Sequence, residues 1–514
     1  MTQQEALAIL ESGQSVLLTG AAGTGKTYLI NEFIRRAKKR RKSIAVTATT
    51  GLAATHLNGT TIHSWAGIGV HDTLPDRFFQ KVGKQRQGLI AKADILIIDE
   101  ISMLHDYRLD MVEEVARKVR GNDKPFGGLQ VILVGDFFQL PPVNRHESRA
   151  GSFVLSSDTW QSGNFTVCYL EKQYRQSDDD AYAQILNGIR AGVLTRNQLT
   201  TLQNRIDVTL DPFVARTRLL TTNVDVDRIN DAELDRLDGD TYEYEMETTG
   251  SKKYIEQLTR SCLAPEVLLL KKGAHVMCIK NSQNGRYANG TLGIVTGFDE
   301  DEHPILKLNN GKTITMLPDT WELIDGDKRR ATLKQLPLRL AWAITVHKSQ
   351  GMTLDGAHID LRRAFVEGMG YVALSRVKSM SQLALDGLNG MALKTSPLAR
   401  EIDAELRSRS EKALQEHSDH IAAWIVSEEK RKNEPEPEQD DEKPTSNFAE
   451  KIAKMREEYP NAFRPWPESD DEKLKKLFEE KKTVKELTEI FGRHPGSIRS
   501  RLKKHYGEDV VMNK

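Results

Sequence analysis

The chain has 514 residues, of which 39% are hydrophobic and 28% are charged, and its formal net charge at pH 7 is zero. This balance is ordinary for a globular protein of several domains, and it excludes both a mainly disordered chain and a broadly basic surface. No apolar run reaches the roughly 18 residues that a membrane span needs. The three cysteines show no C-x-x-C pairing, so we expect a reducing, cytoplasmic location and no zinc ribbon or disulfide framework.

The first predicted unit is a strand, a glycine-rich loop and a helix. An apolar run from Val16 leads into the loop, and apolar residues at helical spacing follow it. Such a loop lets backbone N–H groups converge on a phosphate, while Lys26 would reach the terminal phosphates and the Thr27 hydroxyl would hold Mg²⁺. We therefore predict binding of ATP with Mg²⁺. The loop matches G-x-x-x-x-G-K-[ST] over Gly20, Ala21, Ala22, Gly23, Thr24, Gly25, Lys26 and Thr27.

Polar residues before and after this loop are further candidates. The amide of Gln3 would read an adenine edge, or it is a solvated polar group. The strand Ile44 to Val46 ends in hydroxyl residues and Gly51, and the segment Gly59 to Trp65 mixes small donors with an aromatic ring. Ends of parallel strands bind ligands in open α/β sheets, and such mixtures suit phosphate contact and base stacking. A plain loop with a packed Trp65 is the alternative.

Two further strand ends carry polar side chains. After the apolar run Ile95 to Ile98, Asp99 is predicted to hold the Mg²⁺ shell and Glu100 to polarise the attacking water. After the apolar run Val131 to Val134, the pattern Gly-Asp-x-x-Gln places Gln139 as a sensor of the γ-phosphate. Together with the glycine-rich loop, these residues predict one ATPase core.

A second core is predicted further along the chain. Arg175 follows the predicted strand Val167 to Leu170 and is a candidate arginine finger, although most arginines lie at the surface. The apolar run Leu340 to Val346 leads into a polar segment, and Arg376 follows on a short helical pattern. Arg175 would reach an ATP molecule held on the other core.

In this order, the motifs resemble those of superfamily-one DNA helicases, and more narrowly the bacterial branch of the Pif-type (petite integration frequency) family. The resemblance covers about residues 1–395 and implies two RecA-like P-loop cores of α/β class. It also implies ATP-driven translocation from 5′ to 3′ on single-stranded DNA. The segments that carry it are 20–27, 47–51, 59–64, 99–104, 109–120, 125–128, 135–142, 173–176, 345–353 and 373–376.

The resemblance assigns roles to individual residues. It makes Gln3 the adenine reader and places Tyr28 and Gly351 beside the nucleotide. Its catalytic set is Lys26, Glu100, Gln139, Arg175 and Arg376. The two arginines of this set complete the ATP site from the second core. Its DNA-contacting set, to which we add two neighbours and the loop aromatic, is Thr49, Gly51, His63, Trp65, Thr345, His347, Lys348 and Ser349.

The C-terminal part has a different composition. A stretch dense in charge and proline predicts a disordered linker, and three short helical patterns follow it. The last pattern carries Arg499 and Arg501 and contains no acid. It looks like a helix-turn-helix domain whose last helix would enter a DNA groove, with a protein-docking bundle as the alternative.

The predicted organisation combines these parts. Short strands joined by Asn-Gly turns look like a small β-barrel inserted into the second core. The boundaries are 1–165 for the first core with a small insertion at about 60–92, 166–255 and 336–395 for the second core, 256–335 for the barrel, 396–427 for a helical extension, 428–447 for the linker and 448–514 for the helix-turn-helix-like domain.

The expected function is unwinding of DNA in replication, repair or recombination, by a monomer that acts on single-stranded and forked DNA. Protein partners would bind through the C-terminal tail, and no membrane is involved. An ATP-gated DNA-binding regulator is the alternative. A protein-remodelling ring ATPase is disfavoured because two cores lie in one chain.

Overall fold

The computed structural model shows two compact units, Met1–Val426 and Ser427–Lys514. Neither unit contains, among its described helices, one with the length and apolar character needed to cross a bilayer. The residues that the structure describes are 1–57, 59–69, 71–142, 151–210, 217–262, 264–280, 282, 286–287, 290–309, 311–325, 328–354, 356–433, 455–456, 458–461, 466–480 and 482–506.

A parallel sheet is the centre of the first core. Its strands are β1 Val16–Gly20, β2 Ile44–Ala48, β3 Thr60–Thr61, β4 Ile95–Asp99, β5 Gln130–Gly135 and β6 Thr166–Leu170. They lie in the order β3-β2-β4-β5-β1-β6, and every neighbouring pair is parallel. The central strands are buried along almost their whole length, which explains why they are uninterrupted apolar runs.

Helices connect and cover these strands. In chain order they are α1 Gln3–Glu11, α2 Lys26–Lys39, α3 Gly51–His56, α4 Ile62–Ala66, α5 Phe78–Lys81, α6 Lys84–Lys92, α7 Asp106–Arg120 and α8 Asp158–Ser162. The helix predicted after the glycine-rich loop is confirmed, because α2 begins at Lys26 and buries Leu29, Ile30 and Phe33.

The sheet also corrects one assignment. β6, the strand predicted at Val167 to Leu170 to open the second core, pairs along its length with β1 and is therefore the edge strand of the first sheet. Its apolar run is that of any buried strand, so its composition did not reveal which sheet it would join.

The chain then enters a second parallel sheet and leaves it for an antiparallel insertion. The helices of this part are α9 Asp180–Ala191, α10 Arg196–Gln203, α11 Asn223–Asp235 and α12 Lys252–Ser261. The strands are β7 Thr217–Leu220, β8 Tyr242–Glu245, β9 Glu247–Gly250, β10 Val267–Leu270, β11 His275–Cys278, β12 Leu292–Phe298, β13 Pro304–Leu308, β14 Thr313–Thr315, β15 Asp319–Asp325, β16 Lys328–Gln335 and β17 Leu338–Leu340.

The insertion consists of antiparallel sheets with the orders β10-β8, β14-β13-β12-β11-β17 and β15-β16-β9. Its first strand begins at Tyr242, earlier than the predicted boundary at residue 256. Closure of these sheets into a barrel stays a prediction.

The second parallel sheet resumes after the insertion with β18 Ala343–Thr345, β19 Ala357–Leu361 and β20 Leu383–Leu388. Its order is β18-β7-β19-β20, and all pairs are parallel. The two parallel sheets confirm the α/β class with two P-loop-type cores. The apolar run Leu340 to Val346 is divided between β17 and β18, which belong to different sheets.

The remaining helices are α13 Met369–Leu374, α14 Pro397–Glu416, α15 Ser418–Asn433, α16 Glu468–Glu479, α17 Val484–Phe491 and α18 Pro495–Tyr506. Because α15 continues to Asn433, the first six residues of the predicted disordered linker are helical. Residues 434–447 lie outside the described residues. In the C-terminal unit, α16, α17 and α18 enclose an apolar core that includes Leu474, Leu487 and Ile498.

Candidate nucleotide site and nucleic-acid interface

The glycine-rich loop joins β1 to α2 and needs its glycines for two reasons. Gly20, Gly23 and Gly25 have φ values of 141°, 89° and 82°, which only glycine adopts without strain. The packing is also close: a Cβ on Gly23 would come within 2.7 Å of the Arg175 Cβ, and a Cβ on Gly25 would collide with the Gln3 amide. The loop conformation therefore depends on glycine at these positions.

The lysine of the loop is half-buried and held by backbone oxygens. Lys26 Nζ donates to the carbonyls of Gly20 at 2.8 Å and Ala21 at 3.0 Å. Burial lowers the pKa of Lys26, and the carboxylates of Asp136 and Glu100 oppose this effect. The ammonium is thus positioned by neutral acceptors, which leaves its charge available to an anionic ligand.

A cleft of about 560 Å³ lies beside the loop, between the two parallel sheets. It is lined by the loop, by the ends of β4 and β5, by the segment that follows β6, and by residues of the second core. The lining residues are Ala22, Gly23, Gly25, Lys26, Thr27, Asp99, Glu100, Gly135, Gln139, Tyr174, Arg175, Ser177, Asp178, Gly351, Thr353, Arg376, Lys378, Ser379 and Gln382. The structure thus brings all five predicted catalytic residues to one cleft.

The acidic pair at the end of β4 lies in the wall of this cleft. Glu100 has φ 53°, a left-handed conformation that is uncommon for a residue with a side chain and is found at functional sites. Burial, and then the Glu100 charge, raises the pKa of Asp99 to about 7. Burial also raises the pKa of Glu100, against a hydrogen bond of 2.8 Å that Gln350 Nε2 donates to its Oε2.

Two half-buried carboxylates and the Thr27 hydroxyl line the same cleft and form an oxygen-rich site that suits Mg²⁺. A divalent cation would relieve the mutual repulsion that raises the pKa of Asp99. Thr27 and Asp99 therefore fit the predicted role of holding the metal.

Arg175 and Arg376 approach the cleft from different sides. Arg175 follows β6 of the first sheet, so the prediction that both arginines come from the second core was wrong. Its Nη1 donates to the Ser375 carbonyl at 2.9 Å. Burial, and then the charge of Arg376, lowers the pKa of Arg175 to about 9.

Arg376 is fully buried and also held by neutral acceptors. It donates to the carbonyls of Val372 at 2.8 Å and Met352 at 3.2 Å, and to the Ser375 hydroxyl at 2.7 Å. Burial lowers the pKa of Arg376, opposed by the charge of Glu100. Two guanidinium groups that both contact Ser375 and repel one another at the cleft form a strong site for phosphate oxygens.

The remaining predicted nucleotide residues occupy distinct positions. Gln139 donates to Asp136 Oδ2 at 3.3 Å, and its buried Oε1 has no hydrogen-bond partner among the described residues. Gln3 Nε2 donates to the Thr24 carbonyl at 3.1 Å, which places the Gln3 amide against the loop. Tyr28 is 71% exposed on α2 and lies outside the cleft lining.

The predicted DNA contacts of the first core follow β2 and β3. Thr49 Oγ1 donates to the Glu100 carbonyl at 2.9 Å, and Gly51 begins α3. Trp65 is only 8% exposed and packs in the main apolar core, which contradicts its predicted stacking on a base. The ring sits on the buried face of the short helix α4, so the packed alternative is the correct one.

His63 lies 2.6 Å from Arg108, measured between His63 Nε2 and Arg108 Nη1. Burial, and then the charge of Arg108, lowers the pKa of His63 to about 4. The ring is therefore neutral at physiological pH, with Nε2 as the acceptor and Nδ1 as the donor. It can offer one N–H to DNA but no positive charge.

The predicted DNA contacts of the second core follow β18. Thr345 is buried and its Oγ1 accepts the Lys348 backbone N–H at 3.3 Å, while the His347 ring is stacked at 6.2 Å from that of Phe365. Ser349 is fully buried and its hydroxyl donates to the Val346 carbonyl at 2.8 Å. The prediction that its hydroxyl contacts DNA is wrong, because it serves the turn.

Lys348 is the cation of the same segment. Burial, and then the charge of Arg339, lowers its pKa. Gln350, two residues further along the chain, donates a hydrogen bond to Glu100 in the wall of the ATP cleft. This segment therefore connects the predicted DNA contacts with the predicted nucleotide site.

Two residues near the cleft, Gln350 and Asp136, were not predicted as site residues. Gln350 lies inside the predicted motif but was assigned no role, although its amide is the second-core group that contacts Glu100. Asp136 is part of the Gly-Asp-x-x-Gln pattern and is fully buried against Arg190. The sequence signal for Asp136 was an acid placed directly after an apolar strand within a motif. Such an acid is expected to be buried, and a buried charge requires a partner.

The two predicted DNA-contacting arginines of the C-terminal unit differ in their surroundings. Arg501 is paired with both carboxylate oxygens of Asp471, and its guanidinium lies 5.7 Å from the Trp466 ring. The charge of Arg501 is thus paired within this unit, and its contact with DNA phosphates stays a prediction. Arg499 is exposed on the same helix and remains a candidate.

Comparisons with known proteins agree with this geometry. The family described as PIF1-like helicase matches residues 3–198, and the family described as DNA helicase Pif1, 2B domain, matches residues 253–298. The ATP-dependent DNA helicase Pif1 of Psychrobacter sp. is 41% identical over 480 residues, which cover 82% of this chain and 72% of the relative.

Two solved structures extend the agreement to the fold. The crystal structure of Pif1 helicase from Candida albicans has a TM-score of 0.69 and 33% identity, covering 79% of this chain and 99% of that one. The Bacteroides Pif1 helicase in complex with ADP-AlF3 and ssDNA has a TM-score of 0.62 and 32% identity, covering 80% and 97%. These similarities favour the helicase over the regulator, and the chain belongs to the PIF1-like helicase family.

Proposed function

We propose that the chain is an ATP-dependent DNA helicase that translocates from 5′ to 3′ on single-stranded DNA and unwinds the duplex ahead of it. The observation that carries the proposal is the cleft, in which Lys26 and Glu100 of one sheet face Arg376 of the other. A site divided between two cores changes when the cores move relative to one another, and this couples ATP turnover to motion.

The proposed roles at the nucleotide follow from the contacts. Lys26 binds the terminal phosphates, and Arg175 and Arg376 stabilise the charge that develops on the transferred phosphoryl group. Thr27 and Asp99 would hold Mg²⁺, which when bound neutralises phosphate charge. Gln3 orients the base from its position against the loop.

Glu100 is the proposed base for the attacking water. Its burial raises its pKa, and a carboxylate of raised pKa accepts a proton more readily. Gln350 holds its Oε2 from the second core and leaves the other oxygen for the water. The buried Oε1 of Gln139 has no hydrogen-bond partner among the described residues. Its proposed role is to contact the γ-phosphate or the attacking water.

Coupling to DNA has a short path on each core. On the first core, Thr49 donates both its backbone N–H to the Asp99 carbonyl and its hydroxyl to the Glu100 carbonyl. On the second core, His347 and Lys348 lie two to three residues from Gln350. A displacement of either DNA-contacting segment therefore reaches Glu100 through one or two hydrogen bonds.

The proposed substrates are single-stranded and forked DNA, bound by a monomer. The C-terminal helices add a second DNA contact through Arg499, with protein docking as the other possible role. The domain boundaries and the helix-turn-helix character of this unit belong to the same proposal.

Unwinding of tailed duplexes tests the proposal directly. We expect strand separation with a 5′ single-stranded tail, none with a 3′ tail alone, and none without ATP. Glu100→Gln should bind the tailed DNA but fail to separate it. Glu114→Gln should act as wild type, because this partly exposed residue of α7 pairs only with Lys118 of the same helix among the described ion pairs. Efficient unwinding from a 3′ tail alone would contradict the polarity, and unwinding by Glu100→Gln would contradict the assignment of the base.

A further inference from the structure

The helix α13 of the second core lies directly against the phosphate-binding loop and the Gly-Asp-x-x-Gln loop of the first core. Gly368, which precedes α13, has φ 80°, and a Cβ there would lie 2.5 Å from the Gln139 carbonyl oxygen and 2.6 Å from that of Phe138. The backbones of the two cores are therefore in contact at this point, and both are buried.

Tyr371 of α13 extends this contact to the phosphate-binding loop. Its hydroxyl oxygen accepts the backbone N–H of Ala22 at 3.0 Å and a guanidinium N–H of Arg190 at 3.3 Å. The hydroxyl donates its own proton to Asp136 Oδ2 at 3.3 Å. All its hydrogen-bonding capacity is used, and the side chain is 1% exposed.

The charges around this hydroxyl keep it in the donating state. Arg190 Nη1 and Asp136 Oδ1 form a buried ion pair at 2.6 Å. Burial raises the pKa of Asp136, but the charges of Arg190 and Lys26 outweigh it and hold this pKa below its usual value. Burial raises the pKa of Tyr371 to about 12, so a neutral phenol faces an ionised carboxylate.

We infer that Tyr371 is a positioning residue through which the second core sets the conformation of the phosphate-binding loop. The path is short and specific. The Tyr371 hydroxyl holds the N–H of Ala22, and the carbonyl of the adjacent Ala21 holds Lys26 Nζ at 3.0 Å. A shift of α13 therefore displaces the peptide group that positions the lysine.

The same helix also ends at the cleft, because Arg376 follows α13 by two residues. One rigid element of the second core therefore carries a cleft arginine and the hydroxyl that holds the loop. Motion of the second core would alter phosphate contacts from both sides of the cleft together. This inference rests on the proposed ATPase and adds a residue that does not line the cleft.

The test compares two tyrosine hydroxyls that both contact this part of the second core. Tyr371→Phe removes the hydrogen bond to the loop. Tyr182→Phe is the matched control, because its fully buried hydroxyl donates to the Leu374 carbonyl of α13 at 2.6 Å and makes no contact with the loop. Both substitutions keep the ring, so each should leave the fold intact. Thermal melting and affinity for single-stranded DNA in the absence of nucleotide verify this.

We expect Tyr371→Phe to raise the KM for ATP roughly tenfold, the factor associated with one buried hydrogen bond. It should also lower the ratio of DNA-stimulated to unstimulated ATPase, whereas Tyr182→Phe should change neither quantity. A wild-type KM and ratio in Tyr371→Phe would overturn the inference, and so would equal changes in both variants, which would indicate general loosening of α13. Absence of DNA-stimulated ATPase in the wild-type chain would instead overturn the proposed function.

Discussion

The ATP cleft and the C-terminal unit both concentrate basic side chains, but they treat those charges in opposite ways. In the cleft, Lys26, Arg175 and Arg376 are held by backbone carbonyls and a serine hydroxyl. In the C-terminal unit, Arg501 is bound to the Asp471 carboxylate, and Arg493 lies 4.3 Å from the Trp466 ring and 3.8 Å from Asp470.

The difference separates charges that serve a ligand from charges that serve the fold. A neutral acceptor fixes the direction of a cation without cancelling its charge, so the cation remains able to bind an anion. A carboxylate cancels the charge, and the pair then stabilises the local packing. Counting basic residues along a helix therefore overestimates its capacity for DNA. Substituting the basic residues should therefore abolish or slow ATP hydrolysis in the cleft, whereas in the C-terminal unit it should mainly destabilise the local structure.

The largest expected effect is that of Lys26→Ala, which should abolish ATP hydrolysis because the terminal phosphates lose their cation. Single-stranded DNA binding without nucleotide should persist, and a DNA-stimulated phosphate-release assay together with a binding titration would measure both. Lys39→Ala, on an exposed turn of the same helix, is the matched control. Near-normal ATP turnover by Lys26→Ala would contradict the conclusion that the cations of the cleft serve the ligand.

Arg175→Ala and Arg376→Ala should each lower kcat by about 10³–10⁵-fold, the range known for arginine fingers. The reason is that each removes a charge that is directed into the cleft by neutral acceptors. Single-turnover hydrolysis would measure the loss, with Arg228→Ala as the control because its side chain is 75% exposed and paired with Asp225. Normal kcat in either cleft variant would reclassify that arginine as a packing residue.

The smallest effects are expected in the C-terminal unit, where Arg499→Glu and Arg501→Glu should differ in kind. Arg499→Glu should weaken duplex binding and lower the slope of log affinity against log salt by about one for each lost phosphate contact, with the helices intact. Arg501→Glu should instead increase hydrogen exchange of α16 and α18, because it places two carboxylates together.

A charge-swapped pair sharpens this last test. Arg501→Glu combined with Asp471→Arg restores an ion pair at the same place, and we expect it to recover most of the protection from exchange. An Arg501→Glu variant with unchanged exchange but weaker DNA binding would show that this arginine serves DNA after all.

The parts predictable from the sequence are those that local patterns determine. The loop from Gly20 to Thr27, the strand ending in Asp99 and Glu100, and the helix Lys26–Lys39 follow from apolar periodicity and from motifs a few residues long. Their chemistry follows from residue types that sit side by side in the chain.

The parts that could not be predicted depend on pairings between distant residues. The strand Thr166–Leu170 could join either sheet by its composition, and only its register with Val16–Gly20 decides. The hydrogen bond from Ala22 to Tyr371 spans 349 positions, and the ion pair of Arg501 with Asp471 spans 30. An arginine on a basic helix looks the same in sequence whether its charge is free or cancelled.

The division of the apolar run Leu340 to Val346 between β17 and β18 has a mechanical consequence. Only Ala341 and Trp342 separate the two strands, and both are themselves bonded: the Ala341 N–H donates to the His275 carbonyl at 2.9 Å, and the Trp342 carbonyl accepts the Arg218 N–H at 2.7 Å. The Trp342 ring is also stacked on that of His275. A joint so short and so fully bonded resists bending. We therefore expect a rotation of the second parallel sheet to be transmitted, through this joint, to the antiparallel sheet that contains β11.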